Sequence, residues 1–236
     1  MTRIRGLLFD KDGTLFDFNA TWGAWTRGML MAETGDDPVL FARLAGALGY
    51  DVDHNRFNPG SIVIASTQAE VATVIQSVLP GVDRTQLLAR MNAAAAEVTQ
   101  VEAVPLRPYF AGLHKRGLKL GIVTNDSEAP ARRHLQRADV LDYLDFIAGY
   151  DSGFGAKPAP GQLLAFCKAV GLDPSDCLMV GDSTHDLHAG RAAGMRTVGV
   201  LTGPAPRDEL TPHADVVLQT IGGIPAWLEQ ENLVAH

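Results

Sequence analysis

Near its start the chain carries Asp10-Lys11-Asp12-Gly13-Thr14-Leu15. Two carboxylates so close together, at the point where an apolar run ends, can both reach one polar centre, and Gly13 permits the tight turn this needs. Like charges at that separation repel unless a proton or cation lies between them. A hard divalent ion coordinated by oxygen is the simple remedy. Three later groups have the same character. Thr124 and Asn125 offer a hydroxyl and an amide able to hold phosphate oxygens. Lys157, in Gly155-Ala156-Lys157-Pro158, is restrained by the proline after it, and a fixed cation there can neutralise charge on a nucleophile and a transferring phosphoryl group. Asp182 and Asp186, in Gly181-Asp182-Ser183-Thr184-His185-Asp186, stand at a helix start, where they can complete a metal site.

Each group also has an ordinary structural explanation. An isolated Asp-x-Asp-Gly is usually a solvated acidic turn. A calcium loop of the EF-hand kind is disfavoured, because that pattern sets Gly sixth from its first Asp and here it is fourth. Thr124-Asn125-Asp126-Ser127 is a good N-cap for a following helix, and a lone lysine is commonly a surface residue. Asp182 and Asp186 can simply cap a helix and favour its dipole. His185 and His188 lack a third ligand, and imidazole is not magnesium's preferred partner, so both read as incidental. What sets the four groups apart is their order along the chain and their shared place, each at the end of an apolar run.

Those runs are the elements that must position them. Ile4, Leu7, Leu8 and Phe9 stop at Asp10, residues 118–123 stop at Thr124, residues 177–180 stop at Gly181-Asp182, and residues 196–200 lead to Thr202-Gly203-Pro204. Apolar runs without alternation suit strands covered on both faces, as in parallel sheets. Residues 108–117, 129–138, 160–170 and 186–194 have helical length and composition, several ending near a glycine. Strands alternating with helices predict an open α/β sheet with right-handed crossovers, in which ligands sit beyond the carboxyl ends of the strands. Residues 19–100 differ, being rich in Ala, Leu, Met and Val at helical spacing, with 85–98 a long helix carrying the run Ala93 to Ala96. They predict a mainly helical insertion that rejoins the sheet near 101–108, where Pro105 and Pro108 punctuate the return.

Composition narrows the classes. The chain has 236 residues, 46% hydrophobic and 20% charged, with no apolar run long enough to span a bilayer, which argues against a membrane protein. The first ten residues hold two arginines and a short apolar stretch, too brief for an export signal. A net charge of -7 gives no basic footprint for nucleic acid. Cys167 and Cys177 are the only cysteines and read as two small core residues, without a disulfide or zinc pattern, in keeping with a cytoplasmic setting.

Together the four polar groups resemble the four motifs of the haloacid dehalogenase superfamily, over residues 5–17 and 104–218. The stretch Gly181-Asp182-Ser183 through Asp186, Ala189-Gly190 and Ala193-Gly194-Met195 is similar to its phosphoglycolate phosphatase-like branch, which has a helical C1 cap. The resemblance implies a Rossmann-like parallel sheet core with helices on both faces, built from residues 1–17 and 102–236. It also implies a mainly α-helical cap domain, residues 18–101, inserted after the first strand.

The resemblance implies roles as well. Asp10 is then the nucleophile that forms an aspartyl-phosphate, and Asp12 the acid/base. Thr124, Asn125 and Lys157 bind the phosphoryl group. Mg²⁺ is held by the Asp10 carboxylate, the Asp12 backbone carbonyl and Asp182, with Asp186 in support. The expected activity is hydrolysis of a small phosphorylated metabolite, phosphoglycolate-like, by a monomer or homodimer. A C–P bond hydrolase of the superfamily is disfavoured, because Asp12 is present and residues 19–100 contain no lysine. A sugar phosphomutase shares the full motif set and stays open, and a non-catalytic phospho-aspartate binding module is the reading from another class. Asp17 is followed by Phe18 where the family often has Ser, so contacts near the cap hinge can differ. Trp22, Trp25, Arg27, Arg56 and Asn58 could line the closed pocket, but aromatic and basic residues on a helical cap are more often packing and solvated surface, which is the reading preferred.

Overall fold

Strand β1 (Gly6–Phe9) is buried at every residue, so both of its faces need cover. A computed structural model describes residues 3–58, 60–231 and 233. After β1 the chain enters a segment made of α1 (Phe18–Thr34), α2 (Pro38–Leu48), the short strands β2 (Tyr50–Asp51) and β3 (Arg56–Phe57), α3 (Ile62–Ala65), α4 (Gln68–Val78) and α5 (Arg84–Ala96). It then alternates through α6 (Leu106–Lys115), β4 (Lys119–Val123), α7 (Glu128–Arg137), β5 (Phe146–Ala148), α8 (Gly161–Val170), β6 (Cys177–Gly181), α9 (Thr184–Ala193), β7 (Arg196–Val200), α10 (Arg207–Leu210), β8 (Val216–Leu218) and α11 (Ile224–Gln230).

Among the described residues the main sheet has six strands in the order β5-β4-β1-β6-β7-β8, every neighbouring pair parallel. This is the expected α/β architecture. Two of its strands, β5 and β8, lay outside the runs read from the sequence, being three residues long and only partly buried. Helix α6 begins earlier than the expected residue 108, because Pro105 serves as its N-cap and Pro108 falls in its first turn, where a missing N–H costs nothing.

Side chains of successive strand residues point to opposite faces, and the cores divide accordingly. Leu7, Phe9, Leu120, Ile122 and Val180 pack with Leu106, Phe110 and Leu113 of α6, Leu135 of α7 and Trp227 of α11. Leu8 and Met179 pack with Leu163 and Phe166 of α8 and Ala189 and Ala193 of α9. The helical segment has a cluster of its own, including Leu30, Leu44, Leu48, Ile75 and Leu87. Among the described residues no helix is long and apolar enough to cross a membrane.

Candidate active site

Register brings the site together. Phe9 lies level with Ile122 of β4 and Val180 of β6, so the residues that follow leave the sheet at one edge. Asp10 is held there by its own N–H, which donates to the Val180 carbonyl at 2.9 Å. Thr124 follows β4, Asp182 follows β6, and the loop after β5 carries Lys157 to the same place. Asn125 fixes that loop. Its side-chain oxygen accepts from the Lys157 N–H and its amide donates to the Lys157 carbonyl, both at 2.9 Å. The Lys157–Pro158 peptide is cis.

Lys157 Nζ donates to Asp10 Oδ1 and to Asp186 Oδ1, each at 2.6 Å, and to the Val123 carbonyl at 3.0 Å. Asp186 also closes a capping box with Ser183 at the start of α9, so its expected role as a cap and its place in the polar cluster coexist. Asp182 stands against two glycines. A Cβ added at Gly13, whose φ is +78°, would lie 2.3 Å from Asp182 Oδ2, and one at Gly203 only 1.7 Å from it. Only residues without a side chain leave that carboxylate its room.

The electrostatics are those of a crowded, buried anionic cluster. Burial pushes the Asp10 carboxyl up to about 7, with Asp186 and Asp12 adding to the rise and Lys157 opposing it. Burial, then the charges of Asp10 and Asp186, raise Asp182 well above the ordinary carboxylate range. Burial also opposes the charge on Lys157, but Asp10 and Asp186 outweigh it and hold the ammonium above its usual value. One oxygen from each of Asp10, Asp182 and Asp186 falls within 4.8 Å of the others, and all three residues are buried. Three converging acids, two of them paired with one ammonium, offer hard oxygen donors that a divalent cation such as Mg²⁺ fits.

Asp12 does not share in that group through its carboxylate. Its Oδ1 accepts from Trp22 Nε1 at 2.8 Å, and its Oδ2 pairs with Lys11 Nζ at 2.5 Å. The ligand that the resemblance implies for this residue is its backbone carbonyl, a group separate from this carboxylate. Lys11 itself went unnoticed in the sequence. It is completely buried, with Asp126 Oδ2 at 3.5 Å and His134 Nδ1 at 3.3 Å. Burial opposes its charge and Asp12 and Asp126 restore it, leaving the ammonium above its usual value. Burial raises Asp126 to about 6. Burial and then the Lys11 charge lower His134 to about 4. The place of Lys11 between two site acids is the one local mark it carries, and its contacts with Asp126 and His134 come from residues far along the chain.

Above the acids lies a cavity. Its floor includes Asp10, Asp12, Thr124, Asn125, Lys157 and Asp186, and its upper wall is Phe18, Trp22, Trp25, Val63, Ile64, Val71 and Met91, with Ser66 and Gln68. Trp22 and Trp25, expected to be packing, therefore line the site. Their rings meet edge to face at 5.2 Å, and helical periodicity alone could not say which face of α1 would overhang the sheet. The other three cap residues are elsewhere, as expected. Arg27 donates to the Val52 carbonyl, Arg56 pairs with Asp51, and Asn58 is exposed. His185, read as incidental, is in the lining, whereas His188 faces His213 at the surface.

The haloacid dehalogenase-like hydrolase family model matches residues 4–194. An N-acetylmuramic acid 6-phosphate phosphatase of Pseudomonas aeruginosa is 30% identical over 223 residues, covering 92% of this chain and 91% of that protein. A phosphoglycolate phosphatase of Escherichia coli is 29% identical over 247 aligned residues, covering 97% and 96%. Among solved structures, a family hydrolase from Deinococcus radiodurans with bound phosphate and sodium superposes with a TM-score of 0.67 at 22% identity, covering 100% of this chain and 99% of that one. A β-phosphoglucomutase from Clostridium difficile gives 0.66 at 17% identity, covering 98% and 97%.

Proposed function

The chain belongs to the haloacid dehalogenase-like hydrolase family, and from that premise we propose that it is a Mg²⁺-dependent phosphatase of a small phosphomonoester, with Asp10 as its nucleophile. The observation that carries the proposal is the convergence of Asp10, Asp182 and Asp186, with the Lys157 ammonium bonded to Asp10 and Asp186 on the floor of a cavity. The phosphatase names of the similar curated proteins support it.

An Asp10 oxygen attacks phosphorus and the alkoxide leaves with a proton from the Asp12 carboxyl, giving an aspartyl-phosphate. Asp12 then takes a proton from water, which attacks phosphorus and frees Asp10 and inorganic phosphate. Lys157, Thr124 and Asn125 face the phosphoryl oxygens, with Lys157 offsetting the charge that builds on them. Asp10, Asp182, Asp186 and the Asp12 carbonyl would hold Mg²⁺, which supplies charge neutralisation between an anionic nucleophile and an anionic phosphate. Residues 18–101 form a cap over a core of 1–17 and 102–236, and the cap keeps bulk water from the site until the intermediate has formed. Free, buried Cys167 and Cys177 are consistent with a reducing, cytoplasmic setting.

Release of phosphate from acetyl phosphate should require Mg²⁺, stop on chelation, and fall by at least about a thousandfold in Asp10→Asn. Turnover in that variant equal to the wild type would refute the assignment.

A further inference from the structure

The cavity that receives the leaving group has an unusual charge pattern for a phosphate-handling site. The segment that forms its upper wall contains five arginines and no lysine within residues 19–100. All five, Arg27, Arg43, Arg56, Arg84 and Arg90, are exposed, and none is in the lining. Four are engaged elsewhere. Arg27 and Arg84 donate to the carbonyls of Val52 and Ala69, and Arg56 and Arg90 pair with Asp51 and Glu33. From the sheet side, Lys157 is committed to Asp10 and Asp186, and Lys11 is sealed beneath Asp12 and Asp126. His185 is the one imidazole in the lining.

What the wall offers instead is aromatic and aliphatic surface, with a few neutral polar atoms. Phe18, Trp22, Trp25, Val63, Ile64 and Met91 supply the apolar part. The Trp25 indole N–H and the Gln68 side-chain oxygen are both buried and without a hydrogen-bond partner among the described residues, whereas the Gln68 amide is spent on Asp126 at 2.7 Å. A buried donor and a buried acceptor left unmade are costly, and both belong to residues of the lining, where neutral groups of a ligand would satisfy them once the side chains turn toward it. A carboxylate entering the same space would lose its hydration and meet no cation of its own.

Resting on the phosphatase reading above, we propose that the substrate's leaving group is uncharged and of ring size, with an apolar face against Trp22 and Trp25 and neutral polar substituents. It is not a short carboxylate such as that of phosphoglycolate.

The test compares kcat/KM for phenyl phosphate, 4-carboxyphenyl phosphate and phosphoglycolate in saturating Mg²⁺. Acetyl phosphate, whose leaving group is too small to fill the cavity, reports the core chemistry separately. Phenyl phosphate should exceed 4-carboxyphenyl phosphate by at least about tenfold, since an unpaired buried charge costs more than one such factor. Phosphoglycolate should be the poorer substrate too, and Ile64→Lys, which sets an ammonium in the wall, should shift the ratio of the two aryl phosphates toward the carboxylate. Hydrolysis of acetyl phosphate together with equal or better use of the carboxylate substrates would overturn the inference while leaving the phosphatase standing. No hydrolysis of acetyl phosphate would sink the phosphatase itself, and this inference with it.

Discussion

Asp10, Lys157, Asp182 and Asp186 are at most 8% exposed, which makes their charge a structural problem as well as a chemical one. Burial pushes the Asp10 carboxyl up to about 7, against 3.8 for an ordinary aspartate. Stability associated with the Asp10 proton is fully present below pH 3.8 and is lost as pH rises through about 7. Asp182 moves in the same direction. Asp182→Asn should therefore stabilise the chelator-treated protein at pH 8, read as a higher urea midpoint, and should remove the stabilisation that added Mg²⁺ is expected to give the wild type. A variant less stable than the wild type under chelation would contradict this. Asp10 and Asp182 were legible in the sequence because each stands at the end of an apolar run, and Asp186 because it follows Asp182 by four residues at a helix start. Lys11, Asp126 and His134 were not, because Lys11 and His134 meet across 123 residues and no local pattern encodes such a contact.

At the scale of elements, the site depends on how helices of the inserted segment are started. Asp17 caps α1, accepting from the Ala20 N–H at 2.9 Å, and so sets the direction in which Phe18, Trp22 and Trp25 project. Thr67 and Glu70 form a reciprocal capping box at the start of α4, and the next residue, Gln68, reaches Asp126. Thr67→Ala should lower stability by about 1 kcal/mol and raise KM more than it lowers kcat, because the loosened turn carries Gln68. Unchanged stability and KM, from urea unfolding and steady-state kinetics, would show that the cap is dispensable. Strands β1, β4, β6 and β7 could be read from continuous apolar runs. Strands β5 and β8 could not, since three residues each, only partly buried, give too little pattern to separate from a loop.

Over the whole molecule, two strand-like crossings join the helical segment to the sheet. They are tied together, the Asp17 N–H donating to the Val101 carbonyl and the Ala103 N–H to the Leu15 carbonyl, both at 2.8 Å. On the far side α5 rests on α7, where the ring Nε2 of His134 lies 2.8 Å from the Ala95 carbonyl and Arg137 donates to the Ala96 carbonyl. The sheet supplies the acids and the inserted helices supply the aromatic wall, so the first was foreseeable from strand ends and the second awaited the docking of helices that share no motif. The proposed chemistry requires a phosphoryl group to pass through Asp10. Asp12→Asn, unable to activate water, should accumulate one phosphoryl group per chain when treated with acetyl phosphate and Mg²⁺, and peptide mass spectrometry should locate it on Asp10. A phosphoryl group found on any other residue, or none in a variant that still consumes acetyl phosphate, would contradict the account.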